Sequence, residues 1–564
     1  MRWTLIENAE ASKIKHIQES IGVDSSIAEL LVKRNIETFE DAKAFFRPSL
    51  EELHDPFLMK GMHDASDFIL QKHSEKKPIM VFGDYDVDGT TSVALMSTYL
   101  KSLGFEVLSY IPDRYQEGYG VSYQGIDHAK ANGIDLIIAL DCGIKAVEKV
   151  RYAKELGIEF IICDHHRPGD KIPDAIAVLD PKQEDCNYPY DELCGCGVGF
   201  KLVQALQTKL GKPQKQVYKY LDLVATAIGS DIVPITGENR ILAHFGLKLI
   251  NSRRRPAFKA ILELTKKREL TITDVVFMIG PRINAAGRMK HGLLATELLC
   301  EDNLERVKAL AQDIEHFNAS RKNADQAITE EALRLIKDHN EEERFTTVVY
   351  QPDWHKGVIG IVASRLTETY YRPTLVFTKS GEKLAASARS VRGFDVYEAL
   401  EGSSEFIEQF GGHKYAAGLT LEEKNFEKFK IKFEEVVKSS INPDLLIPEI
   451  PFDSEIQFEE ITPKFIRILK QFAPFGPRNM KPTFVSRNIT TTGFVKALGD
   501  EGLHLKANLV QHEKVMTCIG FGLGDKKEIM DSNQPFDIIF TIEENEWNGT
   551  TTVQLNLKDI KKSN

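Results

Sequence analysis

The chain is poor in cysteine, in long apolar runs and in net positive charge, and each shortage excludes a class of protein. Its seven cysteines, Cys142, Cys163, Cys186, Cys194, Cys196, Cys300 and Cys518, are odd in number and contain no C-x-x-C pair. A disulfide framework is therefore not what organises it. Cys194-Gly-Cys196 could form half of a zinc site, but no second Cys or His pair stands at finger-like spacing, so buried or surface thiols are expected. No window reaches eighteen consecutive apolar residues, and the opening MRWTLIENAEASKIKH has no apolar stretch followed by a small-residue cleavage site. The expectation is a soluble, cytoplasmic protein with no membrane partner. Lys plus Arg number 72 against 83 Asp plus Glu, a net charge of -11. Bulk charge cannot hold a polyanion here, so any such site must be local.

The material that is present suffices for several cores: 564 residues, 42% of them hydrophobic, correspond to about four domains of roughly 150 residues. Residues 1–75 read as short helices, with Ile27, Leu30, Leu31 and Ile36 at helical spacing and Pro48 and Pro56 as punctuation. Over 76–295, the apolar strands PIMVFG, EVLSYIP, LIIAL, EFIIC and AIAVLD alternate with helical stretches. That rhythm predicts an α/β fold, a mostly parallel sheet with helices on both faces and ligands beyond the carboxyl ends of its strands. Residues 296–340 predict one long helix, or two in series, joining two lobes; Leu304, Val307, Ala311, Ile314, Phe317, Arg321, Ala324, Ile328 and Leu335 share a face. A second α/β domain is expected over 341–446. Residues 447–564 alternate as strands, with an Asn548-Gly549 hairpin signal, and predict a small barrel of the oligonucleotide-binding type.

The first strand runs into Gly83-Asp84-Tyr85-Asp86-Val87-Asp88-Gly89, three carboxylates within five residues at the mouth of a sheet. A calcium loop of the EF-hand type would need a Glu where Leu95 stands, and no strand before it. A solvated acidic turn is the plainer alternative. The third strand, however, delivers Asp141, the fourth delivers Asp164-His165-His166, and Asp231 in IGSDIVP could close the cluster. Carboxylates with imidazole and no thiolate suit Mn²⁺ or Mg²⁺. An Asp shared between two ions roughly 3.5 to 4 Å apart is an arrangement for in-line attack on phosphorus. Adjacent His165 and His166 alternate in direction if extended, so one can ligate while the other faces substrate.

GDYDVDGTTS, IALDCGI, CDHHRPG and AIGSDIVP resemble the four successive motifs of the DHH phosphoesterase superfamily. IPDRYQEGYG, GPRINAAGRM, SARSVRGFDV and FGGHKYAAG resemble its RecJ branch, the bacterial single-strand-specific 5'-to-3' DNA exonucleases with a DHHA1 domain. The resemblance runs from about residue 20 through the barrel. It implies two Mn²⁺ or Mg²⁺ ions, the first held by Asp86 and Asp141, the second by Asp88, Asp141, His165 and Asp231. His166 would stand by the scissile phosphate, with Asp84 and Asp164 orienting ligands and Asp84 also able to ligate. Some members carry a histidine where this chain has Phe82, so water or Asp84 must fill that place at the first ion. Pro474-Phe475-Gly476-Pro477-Arg478-Asn479-Met480 keeps the opening of the family's barrel motif with fewer glycines.

An exonuclease also needs to hold a chain end. Ser387, Arg389 and Arg392, with Gly411, Gly412 and His413, resemble the family's pocket for a 5'-terminal phosphate; the plainer reading is surface arginines and a turn. Arg282 and Arg288 could clamp the backbone from the other side. Arg114 reads as a phosphate contact and Tyr119 as a base-stacking platform, or as a packed loop aromatic. The function implied is hydrolysis of single-stranded DNA to 5'-mononucleotides in repair and recombination, with a helicase and a single-stranded-DNA-binding protein as partners. Two alternatives are a small-substrate phosphodiesterase and a catalytically silent DNA-binding scaffold.

Overall fold

The computed structural model describes residues 1–252, 255–264, 267, 269–532, 534–547 and 550–563. The α/β expectation for the first lobe holds strand by strand. Val107–Tyr110, Ile79–Gly83, Leu136–Leu140, Glu159–Cys163 and Ala177–Leu179 lie in that order, every neighbouring pair parallel. Alternate residues face opposite sides of a strand, and here both sides are covered. Ile79, Val81, Ile138, Leu140 and Ile161 join the core beneath the helices Met62–Ser74, Val87–Ser102 and Gly195–Lys209. Met80, Phe82, Ile137, Ala139 and Ile162 join the core beneath Tyr123–Ala131 and Val147–Glu155. Near-continuous burial makes the strands read as apolar runs, and it leaves their carboxyl ends as the place where polar groups emerge.

Leu304–Asp338 is a single helix of 35 residues. It leads into the second lobe, where Thr347–Tyr350 and Thr374–Ser380 pair in parallel before the sheet turns antiparallel through Lys383–Arg389, Ala416–Glu422 and Gln409–His413. At the C-terminal end, Phe484–Leu498, His504–Gln511, Lys514–Gly520, Thr550–Lys562 and Phe536–Trp547 form a sheet closed by pairing of its first and last strands, a five-stranded barrel. The Asn548-Gly549 turn lies outside the described residues.

The N-terminal residues are not helical throughout. Arg2–Leu5 is a strand that pairs in parallel with Glu449–Phe452. Four residues with a partner more than 400 positions away carry no local signal for this. The helices Ala11–Ile21, Ser25–Val32 and Phe39–Phe46 share one core with the barrel: Ile27, Leu30 and Phe45 pack in the same cluster as Phe465, Phe484 and Phe540. Arg240 of the first lobe locks that unit in place. Its guanidinium lies 3.8 Å from the centroid of the Phe45 ring and donates to the carbonyls of Phe45, Gln471, Phe472 and Ala473. Cys194 and Cys196 are buried free thiols, and the Cys194 sulfur accepts from the Gly197 N–H at the start of its helix. No described helix is long and apolar enough to cross a membrane.

Candidate active site

Three strand ends and three helix ends meet on one rim, the last of them the C-terminal end of Leu221–Ser230, which delivers Asp231. After the first strand the chain turns sharply into the helix Val87–Ser102, with Asp86 capping it by accepting the Gly89 N–H at 3.0 Å. Asp88, in the first turn, is fully buried and would be an isolated charge without donors. The N-terminus of Gly195–Lys209 supplies them: the N–H groups of Gly195 and Cys196 each donate to an Asp88 oxygen at 2.7 Å. Free N–H groups at a helix start are suited to a carboxylate. Gly195 is required here because a Cβ on it would lie 2.6 Å from the Cβ of Asp141. Asp141 itself follows its strand with φ of 60°, a left-handed conformation that Asp and Asn tolerate better than other side chains.

Asp164 is the best-bonded carboxylate. One oxygen accepts from the backbone N–H groups of His165 and His166 and sits 2.7 Å from His166 Nδ1; the other accepts from Ile144 N–H at 2.9 Å. Burial alone would raise its pKa, but the His166 hydrogen bond and charge outweigh that and hold it at about 2. Burial likewise works against a charged His166, and the Asp164 bond overcomes it, raising His166 to about 9. Asp164 thus fixes the tautomer and direction of His166, whose Nε2 meets the Tyr119 hydroxyl at 3.1 Å.

The neighbouring groups are not satisfied in this way. His165 Nε2 lies 3.2 Å from Asp141 Oδ1, 3.5 Å from Asp231 Oδ2 and 3.9 Å from Asp88 Oδ2. Burial and the charge of His166 lower His165 to about 3, so a proton does not hold this cluster together. Burial, then repulsion by Asp86, raises Asp88 to about 7; burial, then Asp88 and Asp86, raises Asp231 to about 8. Asp141 and Asp84 are pushed well above the carboxylate range, chiefly by burial and then by Asp88 and Asp86 respectively. Asp84 accepts from Gly120 N–H through one oxygen, while its other oxygen, Asp141 Oδ1 and His165 Nε2 are buried without a hydrogen-bond partner. Unpaired buried acceptors among crowded carboxylates are costly unless a cation joins them. The donor set of carboxylate and imidazole fits Mn²⁺ or Mg²⁺.

Among the described residues, Asp88, His165 and Asp231 form one group of candidate ligands, and Asp141, His165 and His166 form another. Asp86 belongs to neither. Phe82 is built into the apolar core, stacked on Tyr110 at 5.2 Å.

The residues expected to touch DNA separate into several settings. Tyr119 is half exposed above His166, edge-on to Tyr85 at 6.0 Å, and Arg114 lies 4.2 Å over the Tyr85 ring. Tyr85, inside the acidic motif, was not singled out from the sequence, although an aromatic between two motif carboxylates is a visible signal. Arg389 donates to the hydroxyls of Ser364 and Ser387 and, among the described residues, has no carboxylate partner. Arg288 also lacks one; burial, then the charges of Arg114, Arg321 and Arg389, lower it to about 10. With Arg321, which lies 4.0 Å from Asp325 on its own helix, these arginines form a local positive region in an acidic chain. Arg321 reads from sequence only as part of the buried helix face. Arg282 is paired with Glu315 of the long helix at 2.5 Å. Arg392 lines a different cavity, beside Thr4, Leu5 and Asp444. Gly411, Gly412 and His413 are exposed on the edge strand of the second lobe.

The class follows from comparison with family models: residues 78–228 match the DHH family, N-terminal domain, 343–439 the DHHA1 domain, and 452–559 the RecJ OB domain. Among curated proteins, the single-stranded-DNA-specific exonuclease RecJ of Bacillus subtilis is 36% identical, with all of this chain and 71% of that protein covered. The Escherichia coli protein of the same name is 33% identical, with 89% of this chain and 90% of that one covered. A crystal structure of Thermus thermophilus RecJ in complex with Mn²⁺ superposes with a TM-score of 0.85 at 27% identity, covering the whole of this chain and 80% of the other. Another, of exonuclease RecJ bound to manganese, covers 70% of this chain and 98% of its own at 32% identity and a TM-score of 0.62. The chain belongs to the RecJ family.

Proposed function

We propose that the protein is a metal-dependent exonuclease that degrades single-stranded DNA from its 5' end to 5'-mononucleotides. The observation that carries this is the convergence of Asp88, Asp141, His165 and Asp231, with Asp141 Oδ1 and His165 Nε2 buried without a hydrogen-bond partner, beside an imidazolium fixed by Asp164. Asp88, Asp141, His165 and Asp231, with Asp86, would hold one or two divalent cations, which supply neutralisation of phosphate charge and activation of water. The remaining work falls to side chains of this chain. Attack in line on phosphorus breaks the bond to the 3'-oxygen of the terminal nucleotide, which leaves with its 5'-phosphate, and the shortened strand keeps a new 5'-phosphate. His166, charged through Asp164, faces the phosphate oxygens and stabilises the charge that develops on them.

Arg389, with Ser387, offers an uncompensated guanidinium for the 5'-terminal phosphate, and Arg114, Arg288 and Arg321 continue the positive track between the lobes. Tyr119 provides a face on which a base stacks. The barrel, one core with the N-terminal helices, extends the path for the strand, a provision that a dinucleotide substrate does not need. The reading places the enzyme in the cytoplasm, in DNA repair and recombination, with a helicase and a single-stranded-DNA-binding protein supplying its strand.

The test is a time course on single-stranded oligonucleotides labelled at the 5' or the 3' end, with Mn²⁺, Mg²⁺ or chelator, beside a blunt duplex and the Asp141→Ala variant. Early mononucleotide release from the 5' label alone, abolished by chelator and in the variant, supports the reading. Full metal-dependent activity in Asp141→Ala refutes the site.

A further inference from the structure

The loop Asp113–Gly120 carries Arg114 and Tyr119, and its sequence makes it self-supporting. Asp113 accepts from the N–H groups of Tyr115 and Gln116, Glu117 accepts from the N–H of Asp113 and from the hydroxyl of Tyr110, and Gly120 donates to Asp84. These bonds brace the loop by its own side chains. Between Arg114 and Tyr119 stands Tyr115, which the catalytic chemistry does not use.

The Tyr115 side chain reaches the seam between the lobes, against Gly357 of the other. Its hydroxyl donates to the Arg288 carbonyl at 2.5 Å, and the Arg288 guanidinium donates to the Gly357 carbonyl at 2.7 Å. A Cβ on Gly357 would lie 2.3 Å from the Tyr115 oxygen and 3.0 Å from the Arg288 carbonyl, so only glycine allows this approach. Gly357 lies two residues before the helix Ile359–Tyr370, whose first turns contain Gly360, against Arg389 and Ser387, and Ser364, which accepts from Arg389. A path of contacts and short chain segments therefore leads from Arg389 through the helix start at Gly360 to Gly357, from there to Arg288 and Tyr115, and along the Tyr115 loop to Tyr119, which meets His166.

We infer that Tyr115 is a positioning residue that couples occupation of the anion pocket at Arg389 to the posture of Tyr119 over His166, so that a correctly seated 5'-phosphate raises the rate of cleavage and not only the affinity. Binding energy from a remote part of a substrate raises kcat when it is realised as alignment at the reacting centre. The inference rests on the reading of Arg389 as the end-binding group.

The experiment uses the full chain with Mn²⁺ and single-stranded oligonucleotides bearing a 5'-phosphate or a 5'-hydroxyl, and measures kcat and KM separately. Tyr115→Phe keeps the ring and removes one hydrogen bond; on 5'-phosphate ends it should lower kcat by about fivefold to tenfold with KM nearly constant. On 5'-hydroxyl ends it should have little effect, and in an Arg389→Ala background it should have no further effect, the non-additivity expected of coupled residues. Gly357→Ala, made from the opposite lobe, should reproduce the selective loss, and thermal unfolding of each variant identifies any that fails to fold. Equal loss on both kinds of end, additivity with Arg389→Ala, or no loss in Tyr115→Phe overturns the inference. A wild-type enzyme with no preference for a 5'-phosphate refutes the role of Arg389 as well, before any variant is made, and so separates the two failures.

Discussion

Replacing Asp231 by Asn should destabilise the metal-loaded protein and stabilise the metal-free one. Asp231 caps the C-terminal end of the helix Leu221–Ser230 in a right-handed conformation, so Asn fits the backbone equally well. Its ligand oxygen lies within 4.8 Å of that of Asp88. Two unit charges at that separation repel by about 3 to 4 kcal/mol at an effective dielectric near 20. A negative charge at a helix C-terminus adds a smaller unfavourable interaction with the helix dipole. Both carboxylates are raised in the folded state, to about 7 and about 8. The folded protein therefore holds protons that the unfolded chain releases, and it loses stability as pH rises from the ordinary carboxylate range through about 8. In chelator at pH 8, Asp231→Asn should gain about 3 kcal/mol, roughly 5 to 10 °C in Tm for the catalytic lobe. The difference should shrink steadily as pH falls and nearly vanish only near pH ~4, where the unfolded chain binds the proton as well. With saturating Mn²⁺ the order should reverse, because the wild type gains binding free energy that the variant lacks. Calorimetry across these conditions reads the crossing directly. A variant less stable than wild type in chelator at pH 8 would refute the account of the cluster as crowded charge awaiting a cation.

Asp164→Asn should move the alkaline limb of the pH–rate profile down, because His166 is raised to about 9 by that carboxylate. If His166 returned to about 6.5, its charged fraction at pH 8 would fall roughly thirtyfold while little changed at pH 6; a pH-independent loss would argue against this role. Gly195→Ala should cost turnover on the order of a hundredfold, since the added Cβ, 2.6 Å from Asp141 Cβ, displaces the helix start that holds Asp88. Steady-state rates with thermal unfolding check it. Arg240→Met should leave several carbonyls of the interlobe junction without donors and lower stability by at least about 3 kcal/mol, read by unfolding and by protease sensitivity around residues 471–475.

Much of the catalytic rim was legible before any coordinates. A parallel sheet covered on both faces writes its strands as apolar runs, so the polar residues that follow, Asp84 to Asp88, Asp141 and Asp164 to His166, mark the strand ends where ligands collect. The long helix was legible from its period, and its single unbroken span from Leu304 to Asp338 agrees. Asp231, at a helix end, could be placed only as a candidate. The roles of Tyr85, Tyr115 and Arg321 were not legible, because an aromatic or arginine in a loop or on a helix face looks the same whether it packs, pairs or waits for a ligand.

The amino-acid sequence by itself determined the alternation of strands and helices in the first lobe, the carboxylate and histidine inventory and the family, since these depend on local periodicity and on residue types at fixed spacing. Only the tertiary structure decided which charges are compensated. Among the described residues, Arg282 is neutralised by Glu315 while Arg389 meets two hydroxyls and a carbonyl, and Asp164 collects hydrogen-bond donors while Asp141 Oδ1 and His165 Nε2 have no partner. It also joined the N-terminal helices to a barrel some 400 residues away. Compensation and long-range packing are properties of distance, and distance between remote segments is set by how whole faces are buried, which no window of sequence contains.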